Sequence, residues 1–256
     1  MEKRSVGFIG GGRVTRIFLQ AFKNKNFKPG IIKVYDTSQE ILTSLKNRFP
    51  DIEITDSPNP VFTQEIVFIA VHPPVMMDTL DKMKQFISDD SIIVSLAPKI
   101  NIEKINAKLG ARNIVRMIPG ATSYINEGYN PLCFAGSFES DKSKLIELLE
   151  VLGKTFEVTE SKLEAYAIIS AMLPTYFWFQ WKALYDLGVK MGMGEDEANA
   201  AVYETLKAAL NTMFKSGENA DTVMDLIPVK PIGEHEEQIT KIYDEKLWAL
   251  YEKIRP

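Results

Sequence analysis

Three consecutive glycines, Gly10, Gly11 and Gly12, stand between a short apolar run and an amphipathic stretch in Val6-Gly-Phe-Ile-Gly-Gly-Gly-Arg-Val-Thr-Arg-Ile-Phe-Leu-Gln-Ala21. Such residues at a strand-to-helix corner can hold an anion, because a helix that opens on glycines offers bare N–H groups and the positive end of its dipole. Gly10 would permit the tight turn, and Gly12 would let a pyrophosphate approach with no Cβ in the way. The third position of the G-x-G-x-x-G/A spacing is Thr15, small but not the usual residue. A plain strand–turn–helix corner looks the same locally, so the flanking segments have to decide.

Roughly 20–30 residues beyond such glycines a dinucleotide site needs a second strand ending in an acid. Ile31–Tyr35 is that apolar run, and Asp36 ends it. A carboxylate there accepts hydrogen bonds from both ribose hydroxyls and repels a 2′-phosphate. No Arg or Lys follows until Lys46, so no phosphate clamp stands nearby. The spacing predicts NAD as cofactor, with NADP as the alternative. The competing reading is that Asp36 only caps a helix beginning near Ser38.

The rest of the chain constrains the remaining chemistry. It has 256 residues, 45% hydrophobic and 25% charged, an ordinary globular balance with room for one large or two smaller domains. A net charge of −4 argues against a nucleic-acid partner. The single cysteine, Cys133, lies in an apolar stretch and reads as a small core residue. One cysteine allows no internal disulfide and fits a reducing cytosol. Two histidines and no cysteine cluster argue against a metal site. Met1-Glu-Lys-Arg4 leads directly into the first strand, with no leader pattern. Ala165–Trp181 carries no charge, but Pro174, Gln180 and its length predict burial in protein, against another subunit, rather than in a membrane.

The elements that must position these residues fall into two groups. Strand candidates Ser5–Ile9, Ile31–Tyr35, Ile52–Thr55, Ile66–Val71, Ser91–Leu96 and Asn113–Met117 alternate with helical periodicity at Val14–Lys23, Ser38–Arg48, Val75–Phe86 and Ile102–Leu109. Near-continuous apolar strands interleaved with helices predict a doubly wound, parallel α/β sheet of Rossmann type. Leu132–Ala135, a helix at Ser143–Leu152 and a strand at Thr155–Val158 complete it. From Ser161 the pattern is helical only: a long apolar stretch from Lys162 to Met191 broken near Pro174, then Glu195–Ser216, Ala220–Leu226 and Glu234–Lys253. We read residues 1–160 as a dinucleotide-binding domain. Residues 161–256 read as an all-α domain, apolar enough to predict a homodimer.

The ordered motifs resemble those of the pyrroline-5-carboxylate reductase family over about residues 5 to 240. Val6–Gly12 is similar to its opening strand, and Phe68-Ile-Ala-Val-His-Pro-Pro74 to its A-V-K-P-Q segment. Arg116-Met-Ile-Pro119 with Asn126-Glu-Gly128 resembles its R-x-M-P-N-T-P…G-E-G loop, and Leu187-Gly-Val-Lys-Met-Gly-Met193 its A-G-V-K-L-G-L turn. The resemblance implies an NAD(P)H-dependent reductase that dimerises through its helical domain. By it, Gly10, Gly11, Gly12, Arg13 and Val14 hold the pyrophosphate. Val71, His72 and Pro73 lie along the cofactor, and Ala97 and Pro98 face the nicotinamide.

The departures from the family concern the substrate. Its T-S-P-G-G-T-T loop corresponds to Ile227-Pro-Val-Lys-Pro-Ile-Gly-Glu-His235, which has lost both threonines and, at Pro228 and Pro231, two N–H donors. Its S-G-S-G-P-A-Y segment corresponds to Ser170-Ala-Met-Leu-Pro-Thr-Tyr176. Thr175, Tyr176, Lys230, Gly233 and Glu234 are the candidate substrate residues. Lys230 and His235 are the candidate catalytic ones, since a carbonyl needs a proton donor near its oxygen. The alternative is that Glu234-His235-Glu236-Glu237 merely opens a solvated helix. Lys182, on the first long helix, is a weaker candidate. The reading is hydride transfer to a small imine or carbonyl. The alternatives are the strict reductase of proline biosynthesis and a non-catalytic NAD(P)-binding protein.

Overall fold

A computed structural model describes residues 4–256; the leader-free start read at Met1, Glu2 and Lys3 lies outside the described residues. Short runs of β-branched and aromatic residues form the strands. In chain order these are β1 (Val6–Ile9), β2 (Ile32–Tyr35), β3 (Glu53–Ile54), β4 (Ile66–Ile69), β5 (Ile92–Ser95), β6 (Ile114–Met117), β7 (Gly128–Phe134) and β8 (Gly153–Glu157). They make one sheet in the order β3-β2-β1-β4-β5-β6-β7-β8. The first six are parallel, with β1 flanked by β2 and β4, so the strand order reverses beside β1. Ligands in such sheets bind at the carboxyl ends of the strands at this reversal.

Side chains alternate between two cores. Phe8 and Phe68 stack with centroids 4.9 Å apart on one face, and Phe18 meets both edge-on at 5.6 and 5.1 Å. Ile9, Val67, Ile69 and Ile93 point to the other face. Helices α1 (Arg13–Asn24), α2 (Gln39–Arg48), α3 (Asn59–Phe62), α4 (Pro73–Met83), α5 (Ile102–Leu109) and α6 (Lys142–Leu149) follow their strands. Burial on both faces explains why β1, β4, β5 and β6 are apolar throughout.

Two features depart from the sequence reading. β7 begins at Gly128, four residues before the expected Leu132, and runs antiparallel to β6, which makes the sheet mixed. The segment between Met117 and Gly128 is a tight 3₁₀ connection, Ala121–Ile125, too short for a crossover helix, so β7 returns beside β6 head to tail. The long apolar stretch is broken near Pro174, as expected, at Met172. Helix α7 (Leu163–Tyr166) runs into a π turn at Ala167–Ala171, closed by Met172 N–H to Ala167 O at 3.0 Å. Helix α8 (Leu173–Lys190) then starts afresh, with Pro174 in its first turn, where no N–H is required.

The chain forms two compact units. One runs to Met172 and includes Leu250–Pro256; the other is Leu173–Ala249. The first passes the expected boundary at residue 160 because Leu163, Glu164, Ala167 and Ile168 are all buried. The second contains α8, α9 (Glu195–Lys215), α10 (Ala220–Asp225) and most of α11 (Glu236–Ile254). Helices α8 and α9 form a hairpin that closes where Gly188 faces Ala198: a Cβ on Gly188 would stand 3.3 Å from that of Ala198. Ala198 is the one buried residue of the described residues 173–249. Among the described residues no helix is long and apolar enough to cross a membrane.

Candidate functional site

The glycine corner has the geometry that an anion site needs. Gly10 has φ +99°, and a Cβ there would lie 2.5 Å from the Ala70 carbonyl oxygen, so two backbones meet where only glycine fits. Gly11 is buried, its missing Cβ replaced by Leu45 and Ile41 at 2.9 and 3.0 Å. Gly12, the N-cap of α1, is exposed, and nothing lies within 4 Å of where its Cβ would be. Open space at the positive end of α1 is what a pyrophosphate requires. Thr15 earns the third position: fully buried, its Oγ1 donates to Gly10 O at 2.5 Å and closes the turn. Arg13, the first residue of α1, is exposed, and Val14 is half-buried.

Asp36 joins the same corner. Its Oδ2 accepts from Gly11 N–H at 2.7 Å and its Oδ1 from Ser38 N–H at 2.8 Å. Ser38 itself caps α2, its Oγ accepting from Ile41 N–H, so the alternative of Asp36 as the cap of that helix does not hold. Each carboxylate oxygen keeps a lone pair for a further donor. At the end of β4, His72 is the exposed N-cap of α4 and Pro73 its first residue. At the end of β5, Ala97 is buried and Pro98 half-buried. The glycines, Asp36, Val71–Pro73 and Ala97–Pro98 thus share the carboxyl edge of the β2-β1-β4-β5 strands.

Sequence reasoning missed what stands behind this edge. Arg116 on β6 is 1% exposed and pairs with Glu164 at 2.5 Å and Glu160 at 3.0 Å. Glu160 also accepts from Ile102 N–H at 2.7 Å, and Glu164 from Lys99 N–H at 3.5 Å. This brace ties the β5–α5 loop to α7 and the turn before it. The Glu160/Glu164 spacing, one helical turn, was the available signal. Cys133 lies beside the brace; burial pushes its thiol up to about 12, so it is protonated and inert at neutral pH.

The helical unit places its own candidates as follows. Lys230, Gly233, Glu234 and His235 sit together in the turn before α11, where Gly233 N–H donates to Lys230 O at 3.0 Å. Lys230 Nζ is 4.0 Å from Glu236, and His235 Nε2 is 3.5 Å from Glu234. Thr175 is exposed in the first turn of α8, and Tyr176 beside it is half-buried. Burial raises the Tyr176 phenol above the ordinary tyrosine value. Lys182 is paired with Asp186 at 2.6 Å. Among the described residues no group of His, Cys, Asp or Glu could hold a metal ion.

Comparison with known proteins follows the same division. Residues 5–99 match the family model "NADP oxidoreductase coenzyme F420-dependent", and residues 160–233 match "Pyrroline-5-carboxylate reductase dimerisation". The pyrroline-5-carboxylate reductase of Haemophilus influenzae is 26% identical over 227 residues, covering 86% of this chain and 82% of that protein. The Escherichia coli enzyme of the same name is 24% identical over 231 residues, covering 89% and 85%. The crystal structure of Plasmodium falciparum pyrroline carboxylate reductase with NADP bound has the same fold, with a TM-score of 0.77, 22% identity and coverage of 99% and 95%. Sequence models in both halves and relatives aligned along most of the length converge: the chain is similar to pyrroline-5-carboxylate reductases along most of its length.

Proposed function

We propose that this chain transfers a hydride between a nicotinamide dinucleotide and a small imine or carbonyl compound, with NAD preferred over NADP. The observation that carries the reading is the cradle: an open Gly12 at the start of α1, with the Asp36 carboxylate hydrogen-bonded to Gly11 beside it. The dinucleotide, when bound, supplies the hydride. Gly10, Gly11, Gly12, Arg13 and Val14 hold its pyrophosphate, and Asp36 accepts from the ribose hydroxyls and repels a 2′-phosphate. Val71, His72 and Pro73 lie along it, and Ala97 and Pro98 line the nicotinamide. Thr175, Tyr176, Lys230, Gly233 and Glu234 contact the substrate, with Lys230 or His235 delivering the proton that a carbonyl oxygen needs. The working form is a homodimer through the helical unit, supported by the match of that segment to a dimerisation model, and its place is the reducing cytosol.

A second reading, the reductase of proline biosynthesis, is favoured by the shared name of the curated relatives. Calorimetry with NADH and NADPH, followed by a turnover panel of pyrroline-5-carboxylate, other cyclic imines and small ketones, separates the two. Binding of neither coenzyme defeats both readings. Turnover of pyrroline-5-carboxylate far above the rest of the panel selects the second. Alanine at Lys230 or His235 is expected to leave NADH affinity within about threefold of wild type. It should lower turnover about 100-fold or more at the position that donates the proton.

A further inference from the structure

The brace around Arg116 does more than neutralise a buried charge. Arg116 Nη1 donates to Glu160 Oε1 at 3.0 Å, and its Nη2 donates to Glu164 Oε1 at 2.5 Å. Each of these two oxygens accepts a second time, from the chain that leaves β5. Glu160 Oε1 takes the Ile102 N–H at 2.7 Å, and Glu164 Oε1 takes the Lys99 N–H at 3.5 Å. The planar fork of one buried guanidinium thus fixes two points on one loop. Ile102 is the first residue of α5, so its N–H has no partner inside the helix. A carboxylate from 58 residues away caps it, beside Asn101, whose side chain accepts from Lys104 N–H at 2.9 Å. All of these residues belong to the sheet unit.

The front of the same loop is held as well. Leu96 N–H donates to Ile69 O at 3.1 Å, Ala97 N–H donates to Ser95 Oγ at 3.4 Å, and Pro98 has no N–H to give. From Leu96 to Lys99 every backbone donor is therefore engaged within the protein, and Lys99 is kept at φ +77°, a left-handed conformation that costs a non-glycine residue strain. Such a segment has no N–H left for a ligand, and its two residues at the sheet edge, Ala97 and Pro98, are apolar. A stiff apolar surface favours a flat ring laid against it, because no loop has to be ordered on binding. We infer that Glu160 and Glu164, set by Arg116, are positioning residues that hold Ala97 and Pro98 as a fixed wall for the nicotinamide ring. This deepens the proposed function and rests on it.

The test separates the nicotinamide from the rest of the coenzyme. Calorimetry on the full chain compares NADH with ADP-ribose, which reaches the cradle and Asp36 but carries no nicotinamide. Glu160→Ala is expected to lower NADH affinity about tenfold or more and to leave ADP-ribose within about twofold of wild type. Glu160→Gln keeps an oxygen for the Ile102 N–H and should hold NADH within about threefold of wild type. Ile102→Pro removes the tether from the loop side, spares the three charged groups, and falls at a helix position that accepts proline. The same selective loss of NADH is expected there. Variants are compared once circular dichroism shows them folded, and Ile102→Pro decides alone should Glu160→Ala not fold. A general loosening of the sheet unit would lower both ligands together. Equal losses of NADH and ADP-ribose, an unchanged NADH affinity, or a Glu160→Gln as impaired as Glu160→Ala each overturns the positioning role. So does a wild type that binds NADH no more tightly than ADP-ribose. A wild type that binds neither overturns the proposed function, and is recognised separately because that titration comes first.

Discussion

Two residues of the cradle set opposite kinds of demand. Gly10 is needed for its backbone: Gly10→Ala would press a methyl against the Ala70 carbonyl in a left-handed turn. It should cost ~1–3 kcal/mol, visible as a lower urea midpoint with unchanged m-value. Asp36, in the proposed function, acts through its charge. Asp36→Ala should weaken NAD binding about tenfold or more and narrow the preference over NADP, measured by titrating both coenzymes. An unchanged preference would remove the ribose assignment. Cys133 makes a third case. Its folded pKa, about 12, lies above the ordinary value of 9.0, so its neutral form is the one folding favours. That contribution is fully present below pH 9 and is lost as pH rises towards 12. Wild-type stability should fall across this window more steeply than that of Cys133→Ala, by up to ~1.4 kcal/mol per pH unit in denaturant titrations. The corner built by the glycines, Thr15 and Asp36 was legible in the sequence because its spacing lies within one βαβ unit. Lys99 was not, because its φ is set by carboxylates 58 to 65 residues away from the loop they hold.

Among elements, the segments of the first unit were readable wherever an apolar run ended at a turn residue, as at β1 and β5. The direction of β7 was not, since a run such as Leu132–Phe134 carries no mark of which way its neighbour points. It took the short 3₁₀ connection at Ala121–Ile125 to decide it. The break near Pro174 was readable, though not its form, a π turn followed by a fresh helix start. Proline signals an unneeded N–H, and that condition holds at a helix start as well as at a kink. The Arg116 brace is the element-scale device that joins β6, α7 and the β5–α5 loop. Removing Glu164 leaves the buried guanidinium with Glu160 as its one remaining partner in the brace, so Glu164→Ala should cost ~1–3 kcal/mol in equilibrium unfolding. Arg116→Met combined with Glu164→Leu should lose less than Glu164→Leu alone, because no buried charge is then stranded at that pair.

At the scale of the molecule the two units are unequally self-sufficient. The sheet unit has two dense cores of its own. The helical unit leaves Phe179 68%, Phe214 77% and Ile227 70% exposed, and no residue of α8 is buried. Large apolar side chains exposed in this way fit the proposed interface with a second copy. Sedimentation should therefore report twice the chain mass. Phe179→Lys should weaken self-association about 30-fold or more while leaving NADH binding to the sheet unit intact. A stable monomer at micromolar concentration would remove the homodimer. Composition alone carried this expectation from Ala165–Trp181, yet it did not show which faces remain bare; that required the hairpin closing at Gly188 and Ala198.

The bareness of α8 also fixes an order of events during synthesis. If the homodimer forms as proposed, most of the sheet unit can collapse once its strands have left the ribosome, whereas the exposed apolar faces of the helices stay bare until another copy arrives. In that case the final step is bimolecular, and refolding after dilution should show a fast phase indifferent to protein concentration and a slow one whose rate rises with it.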